Sequence, residues 1–178
     1  MSKTNNMLKK EHSKTPKWLG YLRDAAVLLI VIAAIMYWQT RDMLASDGSM
    51  RVQQQNLVSL NGNVVPLLAE NKPTLVYFFA PWCSVCALSI GNLAYLDEHK
   101  INVVVIALDY PNREAVEQFV DEHDVSSTVL FGHDTLKTQF QIQGYPSYYL
   151  INTKQEVISK SYGYSTAMGL KLREVFGT

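Results

Sequence analysis

The stretch "FFAPWCSVCALS" (78–89) holds the only two cysteines of the chain, Cys83 and Cys86, set two residues apart. It continues "TLVYFFA" (74–80), an unbroken apolar and aromatic run of the kind that forms a strand buried on both faces. Behind the strand, residues 83–99 contain no proline and place Leu88, Leu93 and Leu96 at near-helical spacing, so the sequence predicts a helix that starts at the cysteines. A bridge across two residues closes too small a loop to add much stability, and a single pair cannot build the framework of a stapled secreted domain. The pair reads as chemical rather than structural.

A helix start exposes unpaired N–H groups and the positive end of the macrodipole, and both favour a thiolate. Cys83, at the very start, reads as the attacking thiol. Cys86, one turn inward, reads as the group that resolves the mixed disulfide Cys83 makes with a substrate. Trp82 offers a flat apolar contact surface beside them. Other uses of the spacing compete. Haem attachment requires histidine after the second cysteine, and position 87 is alanine. Structural zinc requires four ligands, and His12, His99, His123 and His133 show no paired spacing. Cu(I) held by the two thiolates is the leading non-redox alternative, although the six methionines are scattered along the chain.

Outward from this stretch, "LVSLNGNVVPLL" (57–68) carries a hairpin signal around Asn61 and Gly62. "INVVVIAL" (101–108) is a second buried strand, and residues 113–123 form a helix behind a possible Asn112 cap. Strand, helix, strand, helix implies parallel pairing. "TVLF" (128–131) reads as a further strand and residues 134–140 as a short helix capped by Asp134. Residues 147–151 and 157–162 form a late hairpin, and Ser165 or Thr166 caps a last helix running to about Phe176. The expected fold class is α/β with a mixed sheet.

At 178 residues the chain can bury one good core. Its 16 basic and 16 acidic residues cancel, which argues against a nucleic-acid surface. The polar, glycine-containing segment 39–55 reads as a tether, with the folded domain at 56–178. Ahead of it, "AAVLLIVIAAIMYW" (25–38) is too short alone to cross a bilayer, whereas 18–38 would reach about 31 Å as a helix. Arg23 and Asp24 then lie near one end, and Trp18, Tyr21, Tyr37 and Trp38 mark the two interfaces. Lysines 3, 9, 10, 14 and 17 put residues 1–17 in the cytoplasm by the positive-inside rule. The clean small-residue cleavage site of a signal peptide is missing after the apolar run, so the segment reads as an uncleaved anchor.

Strand, "WCSVC", helix, and "GYPSYYLI" (144–151) about sixty residues later together resemble the thioredoxin family. "PTLVYFFAPWCSVC" (73–86) and "YGYSTAMGLKLREVF" (162–176) are similar in particular to its membrane-anchored periplasmic branch of TlpA and suppressor-of-copper-sensitivity D (ScsD) type. The resemblance implies a thioredoxin fold, Cys83 as nucleophile, Cys86 as resolving cysteine and Pro146 as a cis proline facing them. It also implies that Tyr145, before that proline, contacts bound substrate through its backbone. One residue departs from thioredoxin: where the family's founding member has a buried aspartate that assists proton transfer to the inner cysteine, this chain has Tyr77.

These readings converge on a thiol:disulfide oxidoreductase without metal or organic cofactor. It would be held in the inner membrane by one helix, with its domain in the periplasm. Its substrates would be thiols and disulfides of exported proteins. A membrane thiol-electron transporter would recharge it as a reductant; a disulfide-donating oxidase and a Cu(I)-binding copper-tolerance protein are the alternatives.

Overall fold

The computed structural model describes residues 17–177. The lysine-rich segment expected in the cytoplasm lies, but for Lys17, outside the described residues. Helix α1 (Lys17–Thr40) contains a 21-residue span, Gly20–Thr40, long and apolar enough to cross a membrane by length and composition. Arg23 and Asp24 pair at 3.2 Å near its start.

The residues beyond 38 build a second, separate unit around a five-stranded sheet of order β5-β4-β3-β6-β7. β3 (Thr74–Phe79) is central, pairing in parallel with β4 (Asn102–Ala107) and antiparallel with β6 (Ser147–Ile151). β5 (Thr128–Phe131) extends the parallel side and β7 (Val157–Tyr162) the antiparallel side. All six residues of β3 are buried, as its unbroken apolar run requires. Alternation along the strand sends Leu75, Tyr77 and Phe79 into one core layer with helices α2 (Ser84–Ser89), α3 (Arg113–Glu122) and α5 (Ala167–Gly177). Val76 and Phe78 enter the other layer, with Leu136 of helix α4 (Asp134–Gln139) and Phe140 just beyond it. A short hairpin, β1 (Asn56–Val58) and β2 (Val64–Pro66), lies against the β5 edge, where the Leu60 amide donates to the Val129 carbonyl at 2.9 Å. The fold is a thioredoxin fold with a mixed central sheet and flanking helices.

Two local expectations are corrected by the structure, and one left between two residues is resolved. The helix expected over 83–99 is α-helical only to Ser89 and continues as a 3₁₀ turn, Ile90–Tyr95. Ser89 Oγ donates back to the Val85 carbonyl at 2.9 Å and approaches that of Cys86, and such back-bonding bends a helix. Helix α4 is capped by His133, whose Nδ1 accepts from the Leu136 amide, so Asp134 falls in the first turn where its charge suits the dipole. Of the two candidates for the last cap, Thr166 accepts from the Gly169 amide at 3.1 Å.

The tether expected over 39–55 is folded for most of its length. Met43, Leu44 and Val52 are buried in the second core layer. The backbone of this segment runs against the β7 entry: Gly48 N–H donates to the Val157 carbonyl, Val157 N–H to that of Met50, and Val52 N–H to that of Gln155. Gln54 completes the seal, its side-chain amide pairing with both the N–H and the C=O of Leu68 at 2.9 and 2.7 Å. Backbone pairing is blind to side-chain type, so a polar composition conceals it. Leu44→Ala should therefore lower the stability of the 39–178 unit by about 2–4 kcal/mol, the cost of a buried leucine, read from the urea midpoint; an unchanged midpoint would restore the tether.

Candidate active site

The site sits where β3 ends and α2 begins. The chain leaves β3 through Ala80, Pro81 and Trp82, and Cys83 takes an extended conformation as the N-cap of α2. Its Sγ accepts from the Cys86 amide at 3.1 Å, the bond an N-cap oxygen makes in an ordinary helix. Cys83 and Cys86 are joined in a disulfide. Both cysteines are buried, but of the two only Cys83 keeps any exposed surface, 8% against 0% for Cys86. A thiolate arriving from outside meets Cys83, and the amide already aimed at Sγ stabilises negative charge there once the bond opens.

Beneath the inner cysteine lies Tyr77. Its hydroxyl reaches Ser89 Oγ at 3.1 Å and the Cys86 carbonyl at 3.3 Å. Burial, and then the neighbouring Tyr148, hold the Tyr77 hydroxyl far above the ordinary tyrosine range, so it stays protonated and acts as a donor. Where thioredoxin is expected to carry a charged base, this chain carries a neutral hydroxyl. Ser89 was not singled out in the sequence. Its place four residues after Val85, on the buried side of α2, is what brings it under Tyr77.

Trp82 is 64% exposed beside Cys83, and a groove of about 280 Å³ opens between its ring, Pro81, Pro111 and Phe119. Its indole N–H donates to the Asp109 carbonyl at 2.9 Å, and its ring meets that of Tyr145 edge-on at 5.7 Å. The Tyr145–Pro146 peptide is cis. Tyr145 packs against both core layers, and its buried hydroxyl closes no hydrogen bond among the described residues. Burial, and next the Asp109 carboxylate, push its pKa above the ordinary tyrosine value, so it stays protonated. Asp109 and its ion-pair partner Lys137 escaped the sequence reading, because their contacts span 27 and 28 residues and no local pattern links them.

A redox-active pair of cysteines of unequal exposure, set at a strand-to-helix junction of a thioredoxin fold, defines a thiol:disulfide oxidoreductase. The chain belongs to the Redoxin family, whose pattern matches residues 46–174. Among curated proteins it is 28% identical over 151 residues to a thioredoxin-like protein of Haemophilus influenzae, covering 83% of this chain and 87% of that one. The thioredoxin-like protein YneN of Bacillus subtilis is 25% identical over 149 residues, with 78% and 85% covered. Among solved structures, StoA of Bacillus subtilis superposes with a TM-score of 0.61 at 20% identity, over 67% of this chain and 95% of that one. A thiol:disulfide interchange protein of Chlorobium tepidum gives 0.63 at 18% identity, with 72% and 95% covered.

The buried tyrosines set the alkaline limit of this fold. Unfolded tyrosine ionises near 10, whereas burial pushes Tyr149 up to about 12 and Tyr77 and Tyr148 also upward. The folded state holds these protons more tightly, so the stability they contribute is complete below pH 10 and is lost as pH rises through the folded values. The denaturation midpoint should stay level from about pH 7 to 9 and fall from about 10 upward, with Tyr77→Phe flattening the fall. A decline already under way at pH 7 would assign it to other groups.

Proposed function

We propose that this chain is a membrane-anchored thiol:disulfide oxidoreductase of the TlpA and ScsD type, and that it works as a reductant of exported proteins. Helix α1 is the anchor, residues 1–17 lie in the cytoplasm, and the 39–178 unit lies in the periplasm. The supports are the length and apolarity of Gly20–Thr40 and the lysines that precede it. The observation that carries the chemistry is the unequal exposure of the two cysteines.

In the cycle, the Cys83 thiolate attacks a client disulfide. One client sulfur joins Cys83 in a mixed disulfide and the other departs as a thiolate that takes up a proton. Cys86 then loses its proton and attacks the Cys83 sulfur, releasing the second client thiol and leaving the Cys83–Cys86 disulfide. Two electrons have passed to the client. Because the chain holds a single cysteine pair, a second thiol donor must restore it, and a membrane thiol-electron transporter fits that need. Pro146 and Tyr145 flank the exchange as substrate-side residues, and Trp82 supplies the apolar rim. No group beyond the two cysteines is required for the electron transfer.

Cys86→Ala should accumulate mixed disulfides through Cys83 on non-reducing gels, whereas Cys83→Ala should accumulate none; equal trapping by both variants would overturn the roles. The direction is read by equilibrating the Cys83–Cys86 pair with glutathione. A potential near the roughly −270 mV of thioredoxin is expected, and one near roughly −120 mV would make the protein a disulfide donor instead. Stoichiometric Cu(I) retention by the reduced pair, with no turnover of protein disulfides, would favour the copper-binding reading.

A further inference from the structure

Trp82, Asp109, Lys137 and Tyr145 close a ring of contacts on one rim of the disulfide. The Trp82 indole N–H donates to the Asp109 carbonyl, and the Asp109 carboxylate accepts from Lys137 Nζ at 2.6 Å. The Lys137 ammonium lies 6.0 Å from the centre of the Tyr145 ring, and that ring meets Trp82 edge-on. Each member comes from a different part of the fold: the turn after β3, the turn after β4, helix α4 and the loop before β6. Asp109 holds a left-handed backbone, φ 47°, a conformation that a non-glycine residue keeps only where its surroundings enforce it. Its side chain and Lys137 are each only about one-third exposed, so the pair is better shielded than a surface ion pair.

Lys137 is the one cation of the four, and its charge meets two of the others. One proton of its ammonium goes to Asp109, which carries the acceptor for Trp82; the same charge faces the π cloud of Tyr145. We propose that Lys137 is a positioning residue for client docking: it fixes the aspect of Trp82 and Tyr145, the two aromatic surfaces a client chain meets beside Cys83. This rests on the reading of Trp82 and Tyr145 as substrate-side residues. Among the described residues Lys137 meets Asp109 and Tyr145 and neither sulfur, so its influence falls on recognition of a polypeptide and not on the exchange of electrons. A small disulfide, too short to span the rim, is insensitive to it.

The test is dithiothreitol-driven reduction of insulin by the full chain in detergent micelles, alongside its redox equilibrium with glutathione. Lys137→Met keeps the apolar stem and removes the charge. It should raise KM for insulin about three- to tenfold, as a partly shielded ion pair and a cation–π contact warrant, with kcat held within about twofold. The glutathione equilibrium should not move, and Lys137→Arg should recover most of the loss. An unchanged KM overturns the inference, as does a fall in kcat with a shifted glutathione equilibrium, which would place Lys137 in the sulfur chemistry. Failure of arginine to rescue would reduce the role to packing and overturn it likewise. Trp82→Ala separates the two levels. If it raises KM while Lys137→Met does not, the assignment of Lys137 falls alone; if it too leaves KM unchanged, the docking reading falls with it.

Discussion

Everything at the site depends on a single strand that has no free side. β3 is flanked by hydrogen-bonded neighbours on both edges and by core layers on both faces, so its end point in space is determined by four sets of contacts at once. A strand so confined delivers the residue that follows it to a fixed position. Cys83 owes its placement to that confinement, and Cys86 owes its burial to the direction in which α2 then leaves. The chemistry is therefore a property of the sheet's centre expressed at its rim.

The carbonyl of Cys86 is where the sheet and the helix are joined chemically. It accepts from the Ile90 amide within the helix and is approached by the hydroxyls of Ser89 and Tyr77. One carbonyl has two lone pairs, and the Ile90 amide and the Tyr77 hydroxyl take them, so the inner cysteine is held by its backbone as well as by its disulfide. Tyr77 thus links the middle of β3 to the first turn of α2 without introducing a charge. A carboxylate at the same position would have to be desolvated there, whereas a phenol brings its own apolar ring into the core.

The parts of this protein that were legible in its sequence are those governed by local rules. Buried runs gave strands β3 and β4, Asn112 marked the start of α3, and the cysteine spacing at a strand-to-helix junction marked the site. The parts that escaped are those made by partners far apart in the chain. Leu44 meets Tyr149 across 105 residues, its amide donating to the tyrosine hydroxyl, and nothing in "RDMLASDGSM" (41–50) announces that two of its apolar residues are core. Ser89 and Lys137 are ordinary residues on short helices until the fold brings Tyr77 and Asp109 beside them. The split of the active-site helix was hidden for the same reason, since a serine's back-bond to its own helix leaves no periodic trace.

Trp82 is the only tryptophan of the chain beyond residue 38. It adjoins Cys83 in sequence, its indole N–H is tied to a backbone carbonyl, and its ring is held against Tyr145. A fluorophore so fixed lies beside the one bond of the 39–178 unit that opens and closes with each turnover, so its surroundings change with the redox state.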